Sequence, residues 1–209
     1  MVALIVKMVL AYLLGSVSGS LLLGRLKKVD IRSQGSGNAG GTNAFRTQGL
    51  VFAIGVVLID IGKGFIAAWW IPALNIGGPG EILNSNLLVM ACGFAAVLGH
   101  VFPVWHGFRG GKGAATAVGV LIVVEPWLLL PLVICWVVTL IMTGYVGLST
   151  VLAGFSLVPA AWAMNDNTLM VYSSMLALFI LFTHRANIRK LRDGTENRFE
   201  RIHLFSRKN

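Results

Sequence analysis

The 209-residue chain is 56% apolar and only 12% charged, with a formal net charge of +9 and a mean hydropathy of +0.79. Soluble domains carry about 25% charged residues, so this composition excludes a soluble globular protein and suits several membrane spans of about 20 residues each. Cys92 and Cys135 lie in apolar runs with no Cys-x-x-Cys or Cys/His cluster nearby, so neither a disulfide framework nor a structural metal is implied.

In chain order, the first apolar segment covers about residues 3–24. Val2–Leu14 followed by Gly-Ser-Val-Ser-Gly-Ser has the outline of a secretory leader with a small-residue cleavage site. The apolar pattern continues to Leu23, however, and a retained first span is expected. Gly15, Ser16, Gly19 and Ser20 suit close helix packing. Residues 30–46, DIRSQGSGNAGGTNAFR, are then too polar to lie in hydrocarbon. Further apolar segments follow at about 50–71, 87–104, 114–125, 127–143, 145–163 and 168–183. The second segment carries Asp60 and Lys63, three residues apart and therefore on one helical face. Such a pair either ties helices together or marks a functional position. The fourth segment is short for a span, and only Glu125-Pro126 separates it from the fifth.

Charge sets the expected topology. Apart from Lys7 and Lys63, every Lys and Arg falls in the connections 25–49 and 105–113 or in the tail 184–209. The connections at 72–86, 125–126 and 164–167 have none and carry Glu81, Glu125 and Asp166. Basic connections face the cytoplasm. The expected fold is an all-α integral membrane protein of seven transmembrane helices, with the N-terminus outside and the C-terminus cytoplasmic. Residues 1–209 are expected to form a single membrane-embedded domain. Lys7 is a contrary charge that can snorkel outward. No heptad pattern or inverted repeat is visible.

The polar segments carry the chemistry. Residues 35–40 read Gly-Ser-Gly-Asn-Ala-Gly, a formal match to a dinucleotide fingerprint that fails because no strand precedes it. Gly110-Gly111-Lys112-Gly113 resembles a Walker loop but has His106 at the first glycine position and Gly113 where Ser or Thr should hold magnesium. A simpler reading survives both failures. Glycines let backbone N–H groups converge on an anion, Lys112 adds a point charge, and the helix that begins at Ala-Ala-Thr presents its positive end. His184 and Asn187 share a helical face where the last span ends. No partner is evident for His100, His106 or His203, and neither a Gly-x-Ser-x-Gly elbow nor a His-x-x-x-x-Asp pair occurs. An anion carrier would place its charges near the midplane, whereas these collect at one rim, as an enzyme's would. A lipid-binding role, worth about 1 kcal/mol per cation, accounts for the basic tail but not for the two glycine-rich loops.

Three segments, DIRSQGSGNAGGTNAFR, GHVFPVWHGFRGGKGAAT and HRANIRKLRDGTE, together with Asp60-Ile-Gly-Lys63-Gly, closely resemble the PlsY family of bacterial acyl-phosphate:glycerol-3-phosphate acyltransferases over essentially the whole chain. The resemblance implies transfer of a fatty acyl group from acyl phosphate to the carbon-1 hydroxyl of glycerol 3-phosphate. The products would be lysophosphatidic acid and inorganic phosphate, formed in the first acylation step of phospholipid synthesis. It implies Ser36, His184 and Asn187 as catalytic residues, and Ser36, Arg46, Lys112, His184 and Asn187 as glycerol 3-phosphate contacts. Gly37, Asn38, Thr42, Asn43, Gly110, Gly111 and Gly113 are implied to cradle the acyl phosphate. No cofactor, metal or nucleic acid is expected. The implied setting is the bacterial inner membrane with a cytoplasmic active site, coupled to an enzyme that produces acyl phosphate. One departure stands out: Gly147 occupies a place where family members often carry Ser, which raises the question whether Ser149 substitutes.

Overall fold

In the computed structural model, residues 2–76 and 85–199 are described, and every regular element among them is helical. Glu81 and His203 lie outside the described residues. The chain divides into two compact units, Met1–Glu125 and Pro126–Asn209.

The first unit contains α1 (Val2–Gly15), α2 (Gly19–Lys27), α3 (Gly41–Gln48), α4 (Leu50–Trp69), α5 (Ser85–Val101) and α6 (Ala114–Val124). Helix α1 packs on α5, and α4 packs on α6. With lipid tails as apolar as leucine, such pairs depend on close backbone approach through small residues. Gly119 of α6 shows this most clearly, since a methyl group there would strike the Ile61 carbonyl of α4. Ala11, Ala67, Ile71, Leu88, Cys92, Ala95 and Ala96 form one core cluster. A second cluster of Ile31, Ala44, Phe52, Ala53 and Val56 seats the 30–46 segment on the end of α4.

The first apolar segment, expected as one continuous helix, is interrupted between Gly15 and Gly19. There the Val17 carbonyl leaves the helical ladder to accept from Lys63 Nζ at 2.6 Å. Lys7 does not snorkel to the surface as its position suggests. It is 4% exposed and donates to the Pro72 carbonyl at 3.1 Å, which gives the ammonium an acceptor inside the protein.

The second unit contains α7 (Leu129–Thr143), α8 (Val146–Ala163), α9 (Asn167–Thr183) and α10 (Arg185–Arg192). Helix α8 contacts both α7 and α9. Gly144, at φ +76°, closes α7, and Asp166 caps α9 by accepting the Leu169 N–H at 2.9 Å. Helices α9 and α10 meet at a 57° bend on His184.

Among the described residues, five helical stretches are long and apolar enough to cross a membrane: Val2–Lys27, Leu50–Trp69, Asn86–His106, Pro126–Thr143 and Val146–Ala163. The bent pair α9–α10 makes a sixth if taken as one span. All seven apolar segments are helical, but α6 has only 11 residues. At 1.5 Å per residue it covers roughly 16 Å, about half of a hydrocarbon core. Its Thr116, Ala117, Gly119, Val120 and Leu121 are buried in protein, which makes a short helix tolerable there.

Candidate active site

The 30–46 segment is organised by its own side chains. Asn43, 1% exposed, donates through Nδ2 to the carbonyls of Ile31 (2.9 Å), Gln34 (3.1 Å) and Asn38 (3.0 Å). Its Oδ1 accepts the Ser36 N–H at 2.9 Å. One amide thus gathers four backbone groups of the loop; the Ile31 and Gln34 carbonyls also accept the Gln34 and Gly37 N–H groups, at 3.2 and 3.0 Å. Gly35 and Gly37 have φ of +56° and +73° on either side of Ser36, and this left-handed backbone carries the Ser36 side chain outward. Ser36 is exposed, and its hydroxyl has no hydrogen-bond partner among the described residues. Thr42 lies in the first turn of α3, half-buried, and Arg46 is exposed on the same helix.

Arg32 ties this segment to the next polar connection. Its guanidinium forks onto Asp30, with Nη2 to Oδ2 at 2.7 Å. Nη1 donates to the carbonyls of His106 (3.2 Å) and Arg109 (3.3 Å). Hydrogen bonding from Arg32 holds the Asp30 carboxyl below its ordinary pKa. Arg32 is therefore a strut between two loops, a role its sequence context does not announce.

In the 105–113 connection, Gly110 donates its N–H to the Val101 carbonyl and Gly111 to the His100 carbonyl, both at 3.2 Å. These two amides cap α5, so an anion at this loop must take its main-chain donors from Lys112 onward. Gly113, at φ +89°, is the N-cap of α6, and the start of that helix presents its first-turn N–H groups and positive dipole end. Beneath the loop lies a buried cluster of Asp60, Lys63 and His100. Lys63 Nζ is 3.0 Å from Asp60 Oδ1 and 2.8 Å from His100 Nδ1. Sequence spacing joins Asp60 to Lys63 but carries no signal for His100, which arrives from another helix.

In the second unit, His184 is 5% exposed at the α9–α10 bend. Its Nδ1 lies 2.8 Å from the Ile180 carbonyl, an acceptor, so Nδ1 carries a proton and Nε2 is the other ring nitrogen. Asn187 donates to Glu196 Oε1 at 2.7 Å. The departure at Gly147 has a packing reason: a Cβ there would lie 2.8 Å from the Asn187 Cβ. Ser149 is fully buried and donates to the Tyr145 carbonyl at 2.8 Å, so its hydroxyl serves its own helix. Ser36, Arg46 and Lys112 thus belong to the first unit, and His184 and Asn187 to the second.

These features define a class: a helical integral membrane protein whose polar loops carry an exposed serine, cations and a glycine-capped helix start. Residues 5–194 match the family described as glycerol-3-phosphate acyltransferase, and the chain belongs to that family. It is 40% identical to the glycerol-3-phosphate acyltransferase of Chlorobium luteolum, over 95% of this chain and 97% of that one. Glycerol-3-phosphate acyltransferase 2 of Bacillus anthracis is 38% identical, over 93% of this chain and 98% of the relative. Among solved structures, the chain is similar to PlsY (YgiH), an integral membrane glycerol 3-phosphate acyltransferase, in its glycerol 3-phosphate form. The TM-score is 0.83 and the identity 33%, covering 97% of this chain and 99% of PlsY. The lysophosphatidic acid form of PlsY matches at a TM-score of 0.82.

Proposed function

We propose that this chain transfers a fatty acyl group from acyl phosphate to the carbon-1 hydroxyl of glycerol 3-phosphate, releasing lysophosphatidic acid and inorganic phosphate. The observation that carries this reading is the near full-length relationship to a structure solved with glycerol 3-phosphate and again with lysophosphatidic acid, a substrate and a product of that reaction. Acyl phosphate is an activated donor, so the protein has mainly to position two anionic substrates and stabilise charge. Arg46 and Lys112 offset the repulsion between the two phosphates, with Ser36, His184 and Asn187 as further contacts for glycerol 3-phosphate. Gly37, Asn38, Thr42 and Gly113 serve the acyl phosphate, while Gly110 and Gly111, whose amides are bonded to α5, serve it by shaping the loop. Asn43 serves it indirectly, by holding the Ser36 loop closed.

In this reading the substrate hydroxyl oxygen attacks the acyl carbonyl carbon, and the carbon–phosphate oxygen bond breaks. The hydroxyl proton passes to His184 Nε2 or to a substrate phosphate oxygen. Transfer is direct, with no acyl-enzyme. The same reading takes the chain as seven spans with an outside N-terminus and a cytoplasmic tail, an orientation that the charge distribution supports, and residues 1–209 as one membrane-embedded catalytic domain at the bacterial inner membrane. An acyl-phosphate-producing enzyme in the same cell would supply the donor.

Purified protein supplied with acyl phosphate and glycerol 3-phosphate should release inorganic phosphate and form lysophosphatidic acid in equal amounts, while acyl-CoA should be inert as donor. Turnover with acyl-CoA alone would overturn the donor assignment. A stable acyl adduct on Ser36 would overturn direct transfer. Phosphate uptake into vesicles without acylation would favour an anion carrier.

A further inference from the structure

Asp60, Lys63 and His100 take no part in the chemistry above, yet they form a buried cluster in the first unit at 1%, 4% and 3% exposure. An ammonium has three N–H donors and no acceptor. Lys63 Nζ has three acceptors around it: the Val17 carbonyl at 2.6 Å, His100 Nδ1 at 2.8 Å and Asp60 Oδ1 at 3.0 Å. Every donor is matched. His100 Nδ1 also lies 3.4 Å from Asp60 Oδ1, so the three side chains meet at one point; with Nδ1 accepting from Lys63, the imidazole proton is on Nε2.

That Nε2 edge lies against the Gly-Gly-Lys-Gly loop. A Cβ built on Gly111 would collide with His100 Nε2, so the loop seats on the ring only because residue 111 has no side chain. The His100 and Val101 carbonyls also hold the Gly111 and Gly110 amides. In the other direction, Asp60 Oδ1 accepts the Gly19 N–H at 3.2 Å. The neighbouring Ser20 hydroxyl donates to the Ala39 carbonyl at 2.8 Å, inside the Ser36 loop. One cluster therefore touches the anchors of both glycine-rich loops. Buried ion pairs are a weak source of net stability, because desolvation offsets most of the attraction. What fixed, directional bonds supply better than apolar packing is a single relative placement of the segments they join.

We propose that Asp60, Lys63 and His100 are positioning residues that hold the 35–40 and 110–113 loops in one arrangement for phosphate binding. The His100 ring is the stop against which Gly111 rests. The substrates in this inference rest on the acyltransferase reading; the geometry does not.

The test compares His100→Leu with His100→Asn in the full-length, detergent-solubilised protein. Asn offers Lys63 an acceptor oxygen near the position of Nδ1, and Leu offers none. His100→Leu should raise KM for at least one of the two phosphate substrates about tenfold, the equivalent of one lost hydrogen bond, while kcat changes less than about threefold. His100→Asn should recover most of that loss. Amide exchange, read without substrate, should quicken about tenfold at Gly110 and Gly111 in the Leu variant and stay unchanged in α8 and α9. Unchanged KM and exchange in His100→Leu would overturn the proposal, as would a KM shift that His100→Asn fails to rescue, or a fall in kcat alone. Should His100→Leu not accumulate as folded protein, Asp60→Asn is read with the same measurements and thresholds. If the wild type itself shows no acyl transfer, the functional reading fails separately and the exchange result alone decides.

Discussion

Asn43 holds the Ser36 loop through both ends of one amide, donating to three carbonyls and accepting one N–H. Removing a buried partner costs about 1–3 kcal/mol for each backbone group left unsatisfied. Asn43→Ala should therefore lower stability by about 2–3 kcal/mol and reduce acyl transfer sharply, read by thermal melting and by phosphate release. Asn43→Asp should be no milder, because it sets a carboxylate against three carbonyls; recovery of activity in that variant would contradict the loop-closing role. Lys112 poses a different question, since its proposed role is a charge-assisted bond to phosphate worth about 1.5–3 kcal/mol. Lys112→Ala should raise KM for glycerol 3-phosphate about tenfold to a hundredfold, and unchanged kinetics would remove Lys112 from the site. Asp30 has a pH signature. Its pKa in the folded protein lies below its ordinary value because Arg32 bonds it. The stabilisation it provides is thus fully present above about pH 4 and is lost as pH falls through the lowered pKa. Asp30→Asn should loosen the 105–113 loop at pH 7, measured by amide exchange, with the gap to wild type closing only in more acidic solution.

At the level of elements, the helices were legible because each apolar run is bounded by glycine, charge or proline. Their close contacts were not. Gly119 reads as one small residue in an apolar run, and only the approach of the Ile61 carbonyl shows that nothing larger fits. Gly119→Val should push α4 and α6 apart and abolish a cooperative melt, whereas Gly62→Ala, whose Cβ meets open space, should leave the melt unchanged. A similar melt for both variants would show that the α4–α6 contact does not set stability. The break between α1 and α2 escaped the sequence for a related reason. Hydropathy registers an apolar run but not that the Val17 carbonyl is wanted by Lys63 on another helix. The glycine-rich loops were recognisable as anion-suited by residue type, yet which amides remain available depended on α5 consuming those of Gly110 and Gly111. His100 and Arg32 were illegible as supports because both act through partners distant in sequence.

For the whole molecule, charge distribution is the property that sequence states most directly. Outside Lys7 and Lys63, both held in the first unit by carbonyl acceptors, the Lys and Arg residues are confined to alternate connections and the tail. Such a bias orients a multi-pass protein because cations near short spans resist translocation. The short α6 makes this a sharp question. If α6 crosses, an odd number of spans places the two termini on opposite sides; if it is re-entrant, they fall on the same side. A reporter fused to the C-terminal tail should be active in the cytoplasm, and a small tag at the N-terminus should be reached by a membrane-impermeant reagent from outside. Single cysteines placed at Gly107 and Asn165, in a cysteine-free background, should be labelled from the cytoplasmic and outer sides respectively. Labelling of both from one side would mean that α6 does not cross, and the seven-span topology would give way to six.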